Sequence, residues 1–211
     1  RKAAALAANY APVDSEADAK LIQAAQDELT HIQTVADSMG LAIQEINADG
    51  HCLYSAVADQ LQLLSIIPPS AANYQTTRYA ASTYMATHPT EFLPFLPSAE
   101  GEDGEGATDS YGFMSAAEYD QYCYTVAGTS SWGGEPEIMA LARAYKVPII
   151  VVQSGPQPIV VHTPVQGGSQ DPRQPGVKIS YHRRLYGLGE HYNSLRPKHL
   201  IVVPPPAPIP V

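Results

Sequence analysis

The spacing of apolar residues changes at Pro148. Before it they recur every three or four positions, as in Leu21, Ala25, Leu29, Ile32, Val35 and Met39, which is the period of an amphipathic helix. After it come four short β-rich runs, Pro148–Gln153, Ile159–Thr163, Val177–His182 and His191–Leu195, separated by turns rich in Gly and Pro. Helices first and strands afterwards make an α/β chain of the α+β kind, with the helices packed on a later sheet. No internal repeat interrupts this order.

Within the helical half, Ser15-Glu16-Ala17-Asp18 reads as a helix start and Gly40 as its stop. Leu41–Ile46 is a short extended piece. A second helix begins near Cys52, with Leu53, Val57, Leu61 and Leu64 on one face. A third runs from Ser70 to Pro89. Ser115-Ala116-Ala117-Glu118 is a capping box for a fourth that continues through Val126. Pro136 suits the first position of a fifth, which carries Ile138, Leu141, Ala142 and Tyr145. Glu91–Pro97 is apolar but broken by proline, and residues 99–109 form an acidic, solvated loop. The expected organisation is an N-terminal extension over 1–14 that ends a longer upstream region, one domain over 15–203, and a proline-rich tail over 204–211.

Composition narrows the function. A net charge of −9 over 211 residues argues against nucleic acid as a partner and suits a basic one. No apolar run is long enough to cross a membrane. Two cysteines do not make a disulfide framework, and a reducing, cytoplasmic location fits them better. No Cys-x-x-Cys, His-Glu-x-x-His or EF-hand pattern is present, so no metal or cofactor is expected.

The chemistry-bearing stretch is Asn47-Ala48-Asp49-Gly50-His51-Cys52-Leu53-Tyr54. Its small-residue turn delivers Cys52 to the first turn of a helix, where unpaired N–H groups and the helix dipole favour a thiolate. The same N–H groups could hold an oxyanion. A cysteine nucleophile needs a base, and of the seven histidines His191 is the best placed. It opens the extended segment His191-Tyr192-Asn193, in which His191 and Asn193 share a face and the Asn carbonyl can fix the imidazole tautomer. The 139 positions between Cys52 and His191 resemble the ~130–150 of papain-like enzymes. Asp49 has two readings: it caps the turn, or it accepts a hydrogen bond from the base. Cys123 reads as core, and Trp132 as either a structural anchor or a substrate contact.

Three motifs in order resemble those of the ovarian-tumour (OTU) cysteine proteases: Asp49–Tyr54, Ser131-Trp132-Gly133-Gly134 with Glu137–Ala142, and Gly187-Leu188-Gly189-Glu190-His191-Tyr192-Asn193-Ser194. Thr90–Leu96 further resembles the OTU-domain-containing protein 6 subgroup, which includes a yeast OTU protein. The resemblance implies a papain-like OTU fold, with helices on a small, mostly antiparallel sheet, and hydrolysis of the isopeptide bond after the C-terminal Gly of ubiquitin. It makes Cys52 the nucleophile and His191 the base, with Asp49 or Asn193 as third member. The oxyanion hole would be the backbone N–H groups of Asp49, Gly50, His51 and Cys52. Trp132, Gly133, Gly134, Glu190 and Tyr192 would line the channel for the ubiquitin tail. The implied partners are ubiquitin or polyubiquitin and ribosome-associated substrates. The alternative is a ubiquitin-binding or ribosome-docking module whose hydrolase activity is weak or regulated.

Overall fold

In a computed structural model the described residues are 15–97, 114–186 and 189–200. The expectations for 1–14, for the acidic loop 99–109 and for 204–211 lie outside them. The helices are α1 (Ser15–Ser38), α2 (Cys52–Leu63), α3 (Tyr74–Thr87), α4 (Pro89–Phe92), α5 (Ala116–Gly128) and α6 (Glu135–Tyr145). The strands are β1 (Leu41–Gln44), β2 (Ile149–Gln153), β3 (Ile159–His162), β4 (Val177–Tyr186) and β5 (Gly189–Pro197). The sheet order is β1-β5-β4-β2-β3. Only the β2–β4 pair is parallel among the described strands, so the sheet is mostly antiparallel, as expected. None of the described helices is long and apolar enough to cross a membrane.

The sheet is covered on both faces. α1 packs Ile32 and Ala36 with Leu41, Val152 and Leu195 on one side. On the other, α2 presents Leu53, Val57 and Leu61 to Ile149, Val151, Val177, Ile179 and Tyr192 within the larger core. Burial of each such aliphatic side chain contributes about 1.5–3 kcal/mol, enough to hold a short helix whose own propensity is modest. Gly40 ends α1 at φ +71°, a left-handed value that favours glycine.

Three details depart from the expected pattern. Leu21 is exposed, because α1 turns Glu28, Ile32 and Ala36 inward instead. Glu28 is buried since its carboxylate accepts the backbone N–H groups of Arg183 and Arg184 at 2.9–3.1 Å, where the β4–β5 pairing shifts register. α3 begins at Tyr74 rather than Ser70, because the Asn73 side chain caps the Thr76 N–H, and Pro69–Ala71 forms a separate 3₁₀ turn. The capping box at Ser115 and Glu118 forms as expected.

Two polar ties fix α2 on the strands. Gln60 donates to Ser194 Oγ and the Leu195 carbonyl and accepts from the Lys178 N–H, at 2.8–3.0 Å. Asp59 accepts from Ser194 Oγ at 2.5 Å and pairs with Arg196. The second half of α2 is thereby held in register with β5, which carries His191 and Asn193.

His182 lies opposite His191 in the β4–β5 register and has no solvent exposure. Its Nε2 meets Ser180 Oγ at 2.9 Å, while Nδ1 has no partner among the described residues. Burial pulls its pKa from 6.5 down to about 4, against an upward pull from Glu28 and with a smaller downward one from His191. The folded protein therefore resists protonation here while the unfolded chain does not. Stability is complete above pH 6.5 and is expected to fall as the pH drops toward 4, by about 3 kcal/mol from this group. Urea unfolding at pH 7 and pH 4.5 should show a smaller loss in His182→Gln than in the wild type; equal losses would contradict the assignment.

Candidate active site

Asp49 makes the turn before α2. Its Oδ1 accepts the His51 N–H at 2.8 Å, and its carbonyl accepts the Cys52 N–H at 3.3 Å. Cys52 is the first helical residue and is 8% exposed. That burial changes its electrostatics from the sequence expectation. Desolvation raises the thiol pKa and outweighs the lowering effect of the Tyr192 and Leu53 N–H groups near the sulfur. The helix start alone does not make a resting thiolate.

The Tyr192 N–H beside the sulfur sets Cys52 against the β5 residue that follows His191. Desolvation lowers the pKa of His191, against the raising effect of Asn193. Burial thus disfavours the charged form of each group, thiolate and imidazolium alike. Asn193 fixes which imidazole nitrogen is basic. Its Oδ1 accepts the Ile46 N–H at 2.8 Å, and a backbone N–H can only donate, so that atom is the oxygen. His191 Nε2 lies 3.0 Å from the same oxygen and must carry the proton. Nδ1 then holds the lone pair that can accept a proton.

Tyr186 is a contributor that the sequence reading passed over. Its hydroxyl accepts from Asn193 Nδ2 at 2.8 Å, and its ring lies 4.0 Å from that of His191. It locks the Asn193 amide from the other end. In the sequence it stands four residues beyond the β-rich run Val177–His182 and seven before Asn193, with nothing to single it out.

Asp49 makes no hydrogen bond to His191; it acts on that ring only through a weaker charge effect. Asn193→Ala is therefore expected to lower kcat by about 10–100-fold with little change in KM, since it removes orientation rather than binding. ¹⁵N NMR of the His191 ring should show mixed tautomers in Asn193→Ala and the single Nε2–H tautomer in Asp49→Ala. The reverse pattern would make Asp49 the orienting residue.

The expected oxyanion donors are unequally available. The Asp49 N–H donates to the Asn47 carbonyl at 3.0 Å, that of His51 to the Asp49 side chain, and that of Cys52 over a long 3.3 Å. The Gly50 N–H has no partner among the described residues. His51 is excluded as the base: its ring stacks on Tyr74 at 3.9 Å and its Nδ1 accepts from Arg78 Nε.

A solvent-open cleft of about 170 Å³ runs past this turn, lined by Ala48, Asp49, Gly50, Trp132, Tyr186, Glu190 and His191. Trp132 is half exposed and its indole edge lies against Gly189, where an added Cβ would come within 3.0 Å of the ring. Of the residues assigned to the channel, Trp132 and Glu190 line the cleft. Gly133 does not: an added Cβ there would meet Leu53 and Tyr54 at 2.7–2.8 Å, so it packs the loop onto α2. The Gly134 N–H donates to Glu137 at 2.6 Å, at the start of α6. Tyr192 faces the core and packs 5.0 Å from Tyr181. Cys123 is likewise a core residue.

The pattern that defines the OTU-like cysteine proteases matches residues 47–192, which contain both Cys52 and His191. The chain belongs to this family. Its OTU domain is 36% identical over 155 residues to mouse "Deubiquitinase OTUD6B", covering 74% of this chain and 46% of that protein. The human protein of the same name is 30% identical over 193 residues, with 88% and 59% covered. Yeast "OTU domain-containing protein 2" is 31% identical over 155 residues, with 72% and 44% covered. These relatives agree with the subgroup that Thr90–Leu96 resembles. The chain spans about half the length of the relatives it matches. Among solved structures, the OTU domain of OTUD1 superposes with a TM-score of 0.57 at 18% identity, over 83% of this chain and 98% of that one. An OTU deubiquitinase from Wolbachia pipientis, bound to ubiquitin, superposes at 0.50 with 16% identity, over 76% and 98%. The OTU fold expected from the motifs is the observed one.

Proposed function

We propose that this OTU domain is a deubiquitinase that cleaves the isopeptide bond after the C-terminal Gly of ubiquitin. The observation that carries the reading is the cleft lined by His191 and by the turn that leads into Cys52, bounded by Gly50, by Trp132 against Gly189, and by Glu190. Backbone and an indole edge suit a substrate segment without side chains, such as Gly-Gly, and the carboxylates of Asp49 and Glu190 suit the basic residues of a tail. Relatives named as deubiquitinases and a ubiquitin-bound neighbour of the same fold support it.

In this mechanism Cys52 is the nucleophile and gives its proton to His191 Nδ1 as sulfur attacks the carbonyl carbon. Asn193 orients His191, and backbone N–H groups of the 49–52 turn receive the oxyanion. The lysine amine leaves with the proton from His191. Water, deprotonated by His191, then hydrolyses the thioester. Because burial disfavours thiolate and imidazolium alike, proton transfer is expected to accompany attack.

The domain is proposed to span 15–203, with 1–14 and 204–211 as flanking segments. A cytoplasmic location is supported by the two free cysteines. Ribosome-associated substrates are supported by the subgroup resemblance alone, and co-sedimentation with ribosomes tests them. The activity is tested with di-ubiquitins of every linkage. Cleavage of at least one, lost in Cys52→Ala, is expected; binding without cleavage by the full-length protein would select the docking module instead.

A further inference from the structure

Arg78, on α3, is among the largest fully buried side chains, at 1% exposure, yet it carries a charge. A guanidinium in such a place is costly unless its donors are satisfied, and here four bonds satisfy it. Nε donates to His51 Nδ1 at 3.0 Å. Nη1 donates to the Val126 carbonyl near the end of α5 at 2.8 Å. Nη2 donates to two carbonyls at once, Gly50 at 2.6 Å and Ser131 at 2.7 Å. The plane lies over the Tyr54 ring, 4.0 Å from its centre.

Three of these acceptors, Gly50, His51 and Ser131, lie in or beside segments that line the cleft. Gly50 and His51 are the turn before Cys52, and Ser131 precedes Trp132. The two segments approach so closely that a Cβ on Gly50 would sit 2.0 Å from the Ser130 carbonyl oxygen. The bond to the Gly50 carbonyl also fixes a peptide plane. Its oxygen points to the buried guanidinium, while the His51 N–H at the other end of the same peptide is taken by Asp49. Released, that carbonyl could rotate toward the cleft and set a partial negative charge where an oxyanion has to form. The Nε bond also keeps a proton off His51 Nδ1, so that ring stays neutral against Tyr74.

We propose that Arg78 is the positioning residue of the oxyanion turn, holding the Gly50–His51 peptide and the Trp132 wall in the arrangement that acyl transfer needs. The proposal rests on the reading of Cys52 as an acyl-transfer nucleophile but not on ubiquitin as the substrate. Its test separates acylation from plain thiol reactivity. With p-nitrophenyl acetate, Cys52 sulfur bonds to the acetyl carbon, the C–O bond breaks and p-nitrophenolate leaves, through a tetrahedral oxyanion. With chloroacetamide, sulfur displaces chloride and no oxyanion forms.

Arg78→Lys, which keeps the charge, and Arg78→Met, which keeps the bulk, are expected to lower the acylation rate by about 30–300-fold. Alkylation of Cys52 should change by less than about threefold. On a ubiquitin C-terminal amide the same variants should lose kcat while KM holds. Acylation and alkylation falling in parallel, or acylation unchanged, would overturn the proposal. Normal acylation by a wild-type protein that ignores ubiquitin would instead count against the substrate reading and leave the Arg78 result legible. Should neither variant fold, the wild-type protein decides. Its Arg78 guanidinium protons should give separate, slowly exchanging NMR signals, and averaged, fast-exchanging ones would overturn the claim.

Discussion

His191→Ala is expected to reduce kcat by at least about 10³-fold while leaving the protein folded. The size of the effect follows from the resting state. Burial raises the Cys52 thiol and lowers the His191 imidazole, which disfavours a charged thiolate–imidazolium pair before substrate arrives. Without His191, the thiol has no acceptor for its proton during attack, and the leaving amine has no donor. An enzyme with a permanent thiolate would retain rapid alkylation after loss of its histidine. Here alkylation at pH 7 should be slow in the wild type and should rise with pH through a midpoint above the ordinary thiol value, because a raised pKa leaves less thiolate at neutrality. A pH-independent plateau near neutrality would contradict a raised thiol pKa.

Gly50→Ala is the second large effect. The new Cβ would lie 2.0 Å from the Ser130 carbonyl oxygen and 3.0 Å from its carbonyl carbon, and neither is the end of a flexible side chain. The turn must move, and with it the Gly50 carbonyl held by Arg78 and the Gly50 N–H, which has no partner among the described residues. A loss of about 10²–10³ in kcat is expected from displaced oxyanion donors. A destabilisation of about 1–3 kcal/mol should accompany it, as one wall of the cleft is pushed from the other. Thermal unfolding and turnover measured on one preparation separate the two consequences. Full activity in a less stable protein would mean that the turn tolerates movement.

The sequence made some of this legible through local rules. The capping box at Ser115, the stop at Gly40 and the shared face of His191 and Asn193 each depend on residues within a few positions of one another, and each appears as expected. What stayed hidden depends on tertiary contact. Arg78 reads as one residue of a helix face, and nothing near it in the chain announces that Gly50, Val126 and Ser131 will surround it. Glu28 lies off the apolar face of the first helix in the sequence, and nothing near it shows that β4 will bring two N–H groups to its carboxylate. The thiol's electrostatics failed for a related reason: the helix start was visible, but the depth at which the core seats Cys52 was not. Asn193 and Asp49 both stood as candidates, Asn193 because it shares a strand face with His191 and Asp49 because it shapes the turn before Cys52. The Ile46 N–H, 147 residues away in the chain, gives the Asn193 amide its orientation.

The central claim is that Cys52 is the nucleophile of a ubiquitin-directed thiol protease. It is tested most directly by treating the protein with ubiquitin carrying an electrophile at its C-terminus, then measuring intact mass and mapping the modified peptide. One ubiquitin added at Cys52, with none in Cys52→Ala and strongly slowed labelling in His191→Ala, is the expected result. Labelling at Cys123, or none at Cys52 in a folded protein that binds ubiquitin, would contradict it.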